Sequence, residues 1–147
     1  MFENRPGRSA PLLLLVASLS GGCHAAVQPE LPVALTLDSA IYHRIGQSPV
    51  TVPFAVTNNG STPVRVTQCN GQPVAVVDRW GVGGWRFLDG GFCNGAAPAS
   101  LDLAAGASAH GVVILYDGGA YRLRVIWIAA APGSQETTGS SKSFDVW

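Results

Sequence analysis

The feature that most narrows the fold of this chain is a period-two alternation of apolar with polar or small residues, broken at short intervals by glycine and asparagine. Val33, Leu35 and Leu37 share one face of a segment whose other face carries Ala34, Thr36 and Asp38. Val50, Val52, Phe54 and Val56 alternate with Thr51, Pro53, Ala55 and Thr57. Tyr121, Leu123, Val125 and Trp127 do the same, leaving Arg122 and Arg124 to face away. Side chains of a strand point alternately to opposite faces, so this spacing predicts half-buried strands. Pro53 has no ladder donor and places its strand at an edge or a bulge.

The punctuation between these runs is turn chemistry. Asn58-Asn59-Gly60-Ser61 tolerates the positive φ of a tight turn and predicts a hairpin into a strand from Val64 to Thr67. Asn59-Gly60-Ser61 also matches the glycosylation sequon, but the turn explains it better. Runs from Val74 to Trp80 and from Trp85 to Leu88 flank a four-residue connection, Gly81-Val82-Gly83-Gly84, which sets Trp80 opposite Trp85. Leu101-Asp102-Leu103 leads through Ala104-Ala105-Gly106 to a strand around Gly111 to Tyr116, and Ser143 to Trp147 reads as a closing strand, with Asp117 to Ala120 as a turn and Ala129 to Ser141 as a loop.

Charged residues make up 12% of the 147 residues, against roughly 25% in ordinary soluble domains. Long helices need Lys, Glu, Arg and Gln on their wet faces, and those residues are scarce here, whereas the chain holds 18 glycines and 10 prolines. About eight strands with no helix between them predict an all-β, immunoglobulin-like antiparallel β-sandwich of about 7–8 strands, over residues 31–147. Tyr121, opening a late strand after a glycine turn, resembles the tyrosine corner of such sandwiches; a plain core tyrosine is the other reading.

Residues 1–22 have the order of an export signal: basic Arg5 and Arg8, an apolar run from Leu12 to Leu19, then Ser20-Gly21-Gly22 before Cys23. The run falls short of the roughly 20 residues a membrane span needs. Small residues followed by cysteine resemble the lipobox of bacterial lipoproteins, although Ser20 stands where that box usually has leucine. The resemblance implies a diacylglycerol on Cys23, cleavage before it, and a tether over 23–30 that holds the domain at a membrane of the cell envelope. Cleavage after Ala25, which discards Cys23, is the alternative and leaves a periplasmic or secreted protein.

Cys69 and Cys93 are then left to pair in an oxidising compartment. A disulfide closing about 25 residues contributes on the order of 3 kcal/mol. A metal role would need more Cys or His at ligand spacing, and neither is near. The two cysteines are also too close in sequence to match the inter-sheet bridge of antibody domains. A second resemblance, to the bacterial intracellular proteinase inhibitor family, rests on Val56-Thr57-Asn58-Asn59-Gly60-Ser61-Thr62-Pro63-Val64, on Asn70-Gly71-Gln72-Pro73-Val74, and on Asp78 and Gly84-Trp85-Arg86. It covers about residues 50–88 and implies a small β-sandwich; the export leader and the cysteine pair depart from that family.

The chemistry classes are narrowed in the same way. Removing Arg5, Arg8 and Glu3 with the leader leaves a net charge of about −1, and the only lysine is Lys142, so nucleic acid is not an expected partner. His24, His43 and His110 form no ligand motif, and Ser108 with His110 lacks a nucleophile elbow and an orienting acid. Six aspartates lie scattered at predicted strand ends, the usual turn chemistry. No catalytic residue, metal or cofactor is expected, and a hydrolase assembled from distant Asp, Ser and His is the weakest of three readings.

The candidate binding surface is Trp80, Trp85, Arg86 and Phe92, because aromatic and arginine side chains anchor partners at small entropic cost. The competing reading has the two indoles stapling a hairpin and covering the core, and alternation with Phe87 assigns some of these rings to the core. The expected function is an envelope binding or accessory module for an unknown protein or envelope polymer. The alternative is an extracytoplasmic protease inhibitor presenting Gly81 to Gly84 or Gly90 to Gly95.

Overall fold

A computed structural model describes residues 31–90, 93 and 97–147. The leader 1–22, Cys23 with the tether over 23–30, Phe92 and most of the Gly90 to Gly95 loop lie outside the described residues. The alternating segments form two facing sheets. The smaller sheet runs β1 (Val33–Leu37), β3 (Val50–Asn58), β9 (Ser108–Leu115), all antiparallel. The larger sheet is centred on β10 (Gly119–Ala129). On one edge of β10 lie β6 (Val76–Gly81) and then β4 (Val64–Cys69); on the other lie β12 (Phe144–Val146) and then β11 (Glu136–Ser140). β7 (Gly84–Asp89) adds to β6, while β8 (Ala99–Leu103) and the short β5 (Gln72–Pro73) add to β4. The two-residue β2 (Ile41–Tyr42) joins β12 in parallel.

This is the immunoglobulin-like β-sandwich that the alternation predicts. Among the described residues its expected seven or eight strands are divided into twelve segments, and the β2–β12 pair departs from a purely antiparallel pattern. The core lies where the inward faces meet: Val52, Phe54 and Val56 from β3 pack with Val66, Leu123 and Val125 from the large sheet. Fully burying one such side chain contributes about 1.5 to 3 kcal/mol.

Tyr121 is fully buried, and its hydroxyl donates to the Asp117 carbonyl oxygen at 2.8 Å, four residues upstream. Burial pushes the phenol pKa above its ordinary value. Its ring stacks on Phe144 at 5.9 Å. The tyrosine-corner reading therefore describes this residue. Tyr121→Phe removes one hydrogen bond while keeping the ring, and is expected to lower unfolding free energy by about 1 kcal/mol in a denaturant titration.

Four expectations are corrected by the packing. Asn58-Asn59-Gly60-Ser61 does not close a hairpin: β3 and β4 belong to different sheets, and the segment carries the chain across the sandwich. Buried Asn58 clasps that crossing, donating Nδ2 to the carbonyls of Thr62 at 2.9 Å and Leu103 at 3.0 Å while its Oδ1 accepts from the Gly60 N–H. Pro53 is in the middle strand of its sheet, neither at an edge nor in a bulge. It is tolerated because β1 has already ended opposite Phe54, so no partner there needs its missing donor. The span from Ala129 to Ser141 contains β11, a strand whose buried position is Gly139 opposite Val125. A Cβ at Gly139 would stand 3.3 Å from the Val33 carbonyl oxygen, so the layer leaves no room for the apolar side chain that would have revealed the strand. Finally, Gly81 and Gly84 belong to the β6–β7 ladder, so the connection is the two residues Val82-Gly83.

Gly111 of β9 marks the tightest approach. A Cβ there would lie 2.8 Å from Phe54 Cε1 and 2.9 Å from the Pro73 carbonyl oxygen, the latter being backbone that cannot rotate aside. Gly111→Ala is expected to cost about 2 kcal/mol through overpacking, measured by chemical denaturation.

Candidate functional site

The candidate face is built on the β6–β7 hairpin. Gly83 and Gly84 take φ of 91° and 109°, which L side chains rarely adopt, and this permits the two-residue turn. The turn fixes the register Trp80↔Trp85, Arg79↔Arg86 and Asp78↔Phe87. The two indoles meet edge to face at 5.3 Å, an arrangement worth about 0.5 to 1.5 kcal/mol beyond burial.

Neither ring covers the core. Trp80 is 55% exposed, Phe87 62% exposed, and no residue of β7 is buried. The expectation that some of these aromatics are core is therefore corrected for Trp80, Trp85 and Phe87: among the described residues β7 pairs only with β6, and its rings lie on the side of the large sheet turned away from the core. Alternation assigns Trp85 and Phe87 to one face as expected, but it could not say that the face is wet.

The same outward face carries an ion cluster. Asp78 on β6 stands opposite Arg122 on β10, with Phe87 on its other side. Its Oδ2 accepts from Arg122 Nε at 2.9 Å and Arg124 Nε at 2.7 Å, and its Oδ1 accepts from Arg124 Nη2 at 2.9 Å. Asp78 is 2% exposed. Burial by itself pushes the carboxyl pKa up, but the bonds from Arg124 and Arg122 outweigh it and hold the pKa below the ordinary carboxylate value. Arg122 also lies over the Trp85 ring, 4.9 Å from its centroid. Two guanidiniums share one carboxylate, so this cluster carries an excess positive charge beside the exposed indoles.

Of the residues singled out from sequence, Trp80 and Trp85 come together on this face, and Arg86 stands on the opposite face of the same hairpin, bonding the Val82 carbonyl. Phe92 and Cys23 lie outside the described residues. Cys69 and Cys93 form a disulfide with Cα atoms 5.3 Å apart, tying the end of β4 to the segment that follows β7. Asp78, Arg122 and Arg124 were not assigned to the site from sequence. The outward alternation of the two arginines was visible, but their carboxylate is 44 and 46 residues away.

A cavity of about 330 Å³ lies elsewhere, against Leu35 to Ala40, Lys142 and Ser143. Nearby, Tyr42 donates its hydroxyl to Asp38, and burial together with that bond pushes its pKa up to about 12. Asp38 and His110 line an adjoining shallow hollow, but no hydrogen bond joins them among the described residues. Ser108 bonds Thr57 across the ladder at 2.8 Å, and His43 follows β2 in the other sheet.

No family model matches the chain, and no curated protein does. Among solved structures, the ASH / PapD-like domain of human CEP192 (PapD-like domain 7) is similar at 12% identity, over 97% of this chain and 98% of that one, with a TM-score of 0.37.

Proposed function

We propose that this chain is an exported, lipid-anchored binding module of the cell envelope that engages a protein or envelope polymer through the outward face of the β6–β7 hairpin. One observation carries the reading: Trp80 and Phe87 stand exposed on a hairpin whose outer strand buries nothing. Large aromatics left in water on one face, beside an arginine–aspartate cluster, are the composition of a recognition surface. The order of residues 1–23 supports export and attachment through Cys23.

Two measurements test it. Immobilised protein carrying Trp80→Ser and Phe87→Ser should lose at least tenfold of the capture that the unaltered protein shows from envelope extract; unchanged capture removes this face. Mass spectrometry of the protein from membranes should show a diacylated N-terminal Cys23, whereas a water-soluble product beginning after Ala25 excludes the anchor.

A protease-inhibitor reading draws on the hairpin tip, where Val82 is 90% exposed on a turn braced by the paired indoles and by Arg86. It requires the purified domain to slow serine or cysteine proteases and is discarded if a panel of them is unaffected.

A further inference from the structure

Among the described residues, the outer edge of β7 has no strand beside it. In a two-residue hairpin the pair next to the turn, here Gly81 and Gly84, exchanges hydrogen bonds, and the pairs beyond it alternate. The backbone N–H and C=O groups of Trp85 and Phe87 therefore point away from β6, and they meet no other partner among the described residues. The register shift between Val77 and Asp78 falls beyond Phe87, so Gly84 to Phe87 remain a regular edge. Natural sheets blunt such edges with lysine, proline or short length, and β7 has neither lysine nor proline.

Of its two charges, Asp89 closes the strand, while Arg86 is centred between Trp85 and Phe87, exposed, and donates to the Val82 carbonyl. That position decides what can pair here. A second copy, aligned antiparallel so that Trp85 meets Phe87 in both directions, would set Arg86 directly against Arg86, and like charges in opposed positions disfavour pairing. A strand with a carboxylate at the centre gains the opposite sign, and its neighbours on either side fall against Trp85 and Phe87 on the aromatic face.

We propose that β7 accepts an extended segment of a partner protein as an added antiparallel strand, with an acidic residue opposite Arg86 and apolar residues against Trp85 and Phe87. Main-chain bonds supply the attachment and the two faces supply the selection. This rests on the reading of the hairpin as a recognition surface and names its partner class.

The test uses capped peptides Thr-Val-Xaa-Val-Thr with Glu, Gln or Lys at Xaa, titrated to millimolar concentration into the isotope-labelled protein. The amides of Trp85 and Phe87 should shift, and the Glu peptide should bind about three- to tenfold more tightly than the Lys peptide. Arg86→Glu, a change at an exposed position, should reverse that order. Equal binding of all three peptides, or still amides at Trp85 and Phe87, overturns the proposal. So does sedimentation as a dimer through this edge, which assigns it to a second copy. If polygalacturonate binds in a manner lost with Trp80→Ser while the peptides do not, this inference falls and the recognition face itself stands.

Discussion

Asp78→Ala is expected to lower the unfolding free energy by about 3 kcal/mol at neutral pH. The carboxylate pairs with both Arg122 and Arg124, whose side chains are 31% and 28% exposed. Removing it leaves two half-buried cations side by side, with their donors turned toward a void, and frees Arg122 from its place over Trp85. Asp78→Asn keeps the volume and some acceptor capacity and should cost about 2 kcal/mol.

The pH dependence separates charge from packing. Because the folded carboxyl has its pKa below the unfolded value of about 3.9, the ionised form is the one that folding favours. Its contribution is complete above that unfolded value and disappears as pH falls through the folded one. Urea unfolding at pH 7 and at pH 3 should therefore show the gap between the unaltered protein and Asp78→Asn narrowing in acid.

Replacing Cys69 and Cys93 together by serine is expected to cost about 3 kcal/mol and to lower the melting temperature by roughly 10 °C. The bridge closes a loop with a sequence separation of 24 that contains β5, β6 and β7, so its loss releases the whole hairpin into the unfolded ensemble's larger conformational space. The cysteines sit at half-buried positions, and neither belongs to the core cluster. The loss should therefore appear with reductant alone, without altering the inward packing of β3 and β10.

The parts of this architecture that read directly from sequence are those in which local pattern and tertiary environment agree. Val50 to Val56 and Tyr121 to Trp127 alternate because one face of each strand meets the opposite sheet, and burial follows residue by residue. Trp80 and Trp85 were placed opposite each other because the glycine turn alone determines the register. The pattern fails where a glycine fills the inward position, as in β11, and where one local chemistry serves two topologies, as at Asn58.

The site divides in the same way. Its aromatic residues were legible as a cluster, but their exposure depends on whether another layer covers β7, which no local signal in Trp85 to Leu88 reports. The Arg122–Asp78–Arg124 cluster depends on β6 and β10 becoming neighbours across more than 40 residues. Only the outward alternation of the arginines could hint at it.

The proposed recognition role requires that the rings of the β6–β7 hairpin lie outside the core. Thermal and urea unfolding of the Trp80→Ser, Phe87→Ser double variant tests it without any ligand. A loss below about 2 kcal/mol is expected, covering the indole pair and a little half-exposed surface. A loss of about 6 kcal/mol or more, as expected for two emptied core aromatics, would contradict it.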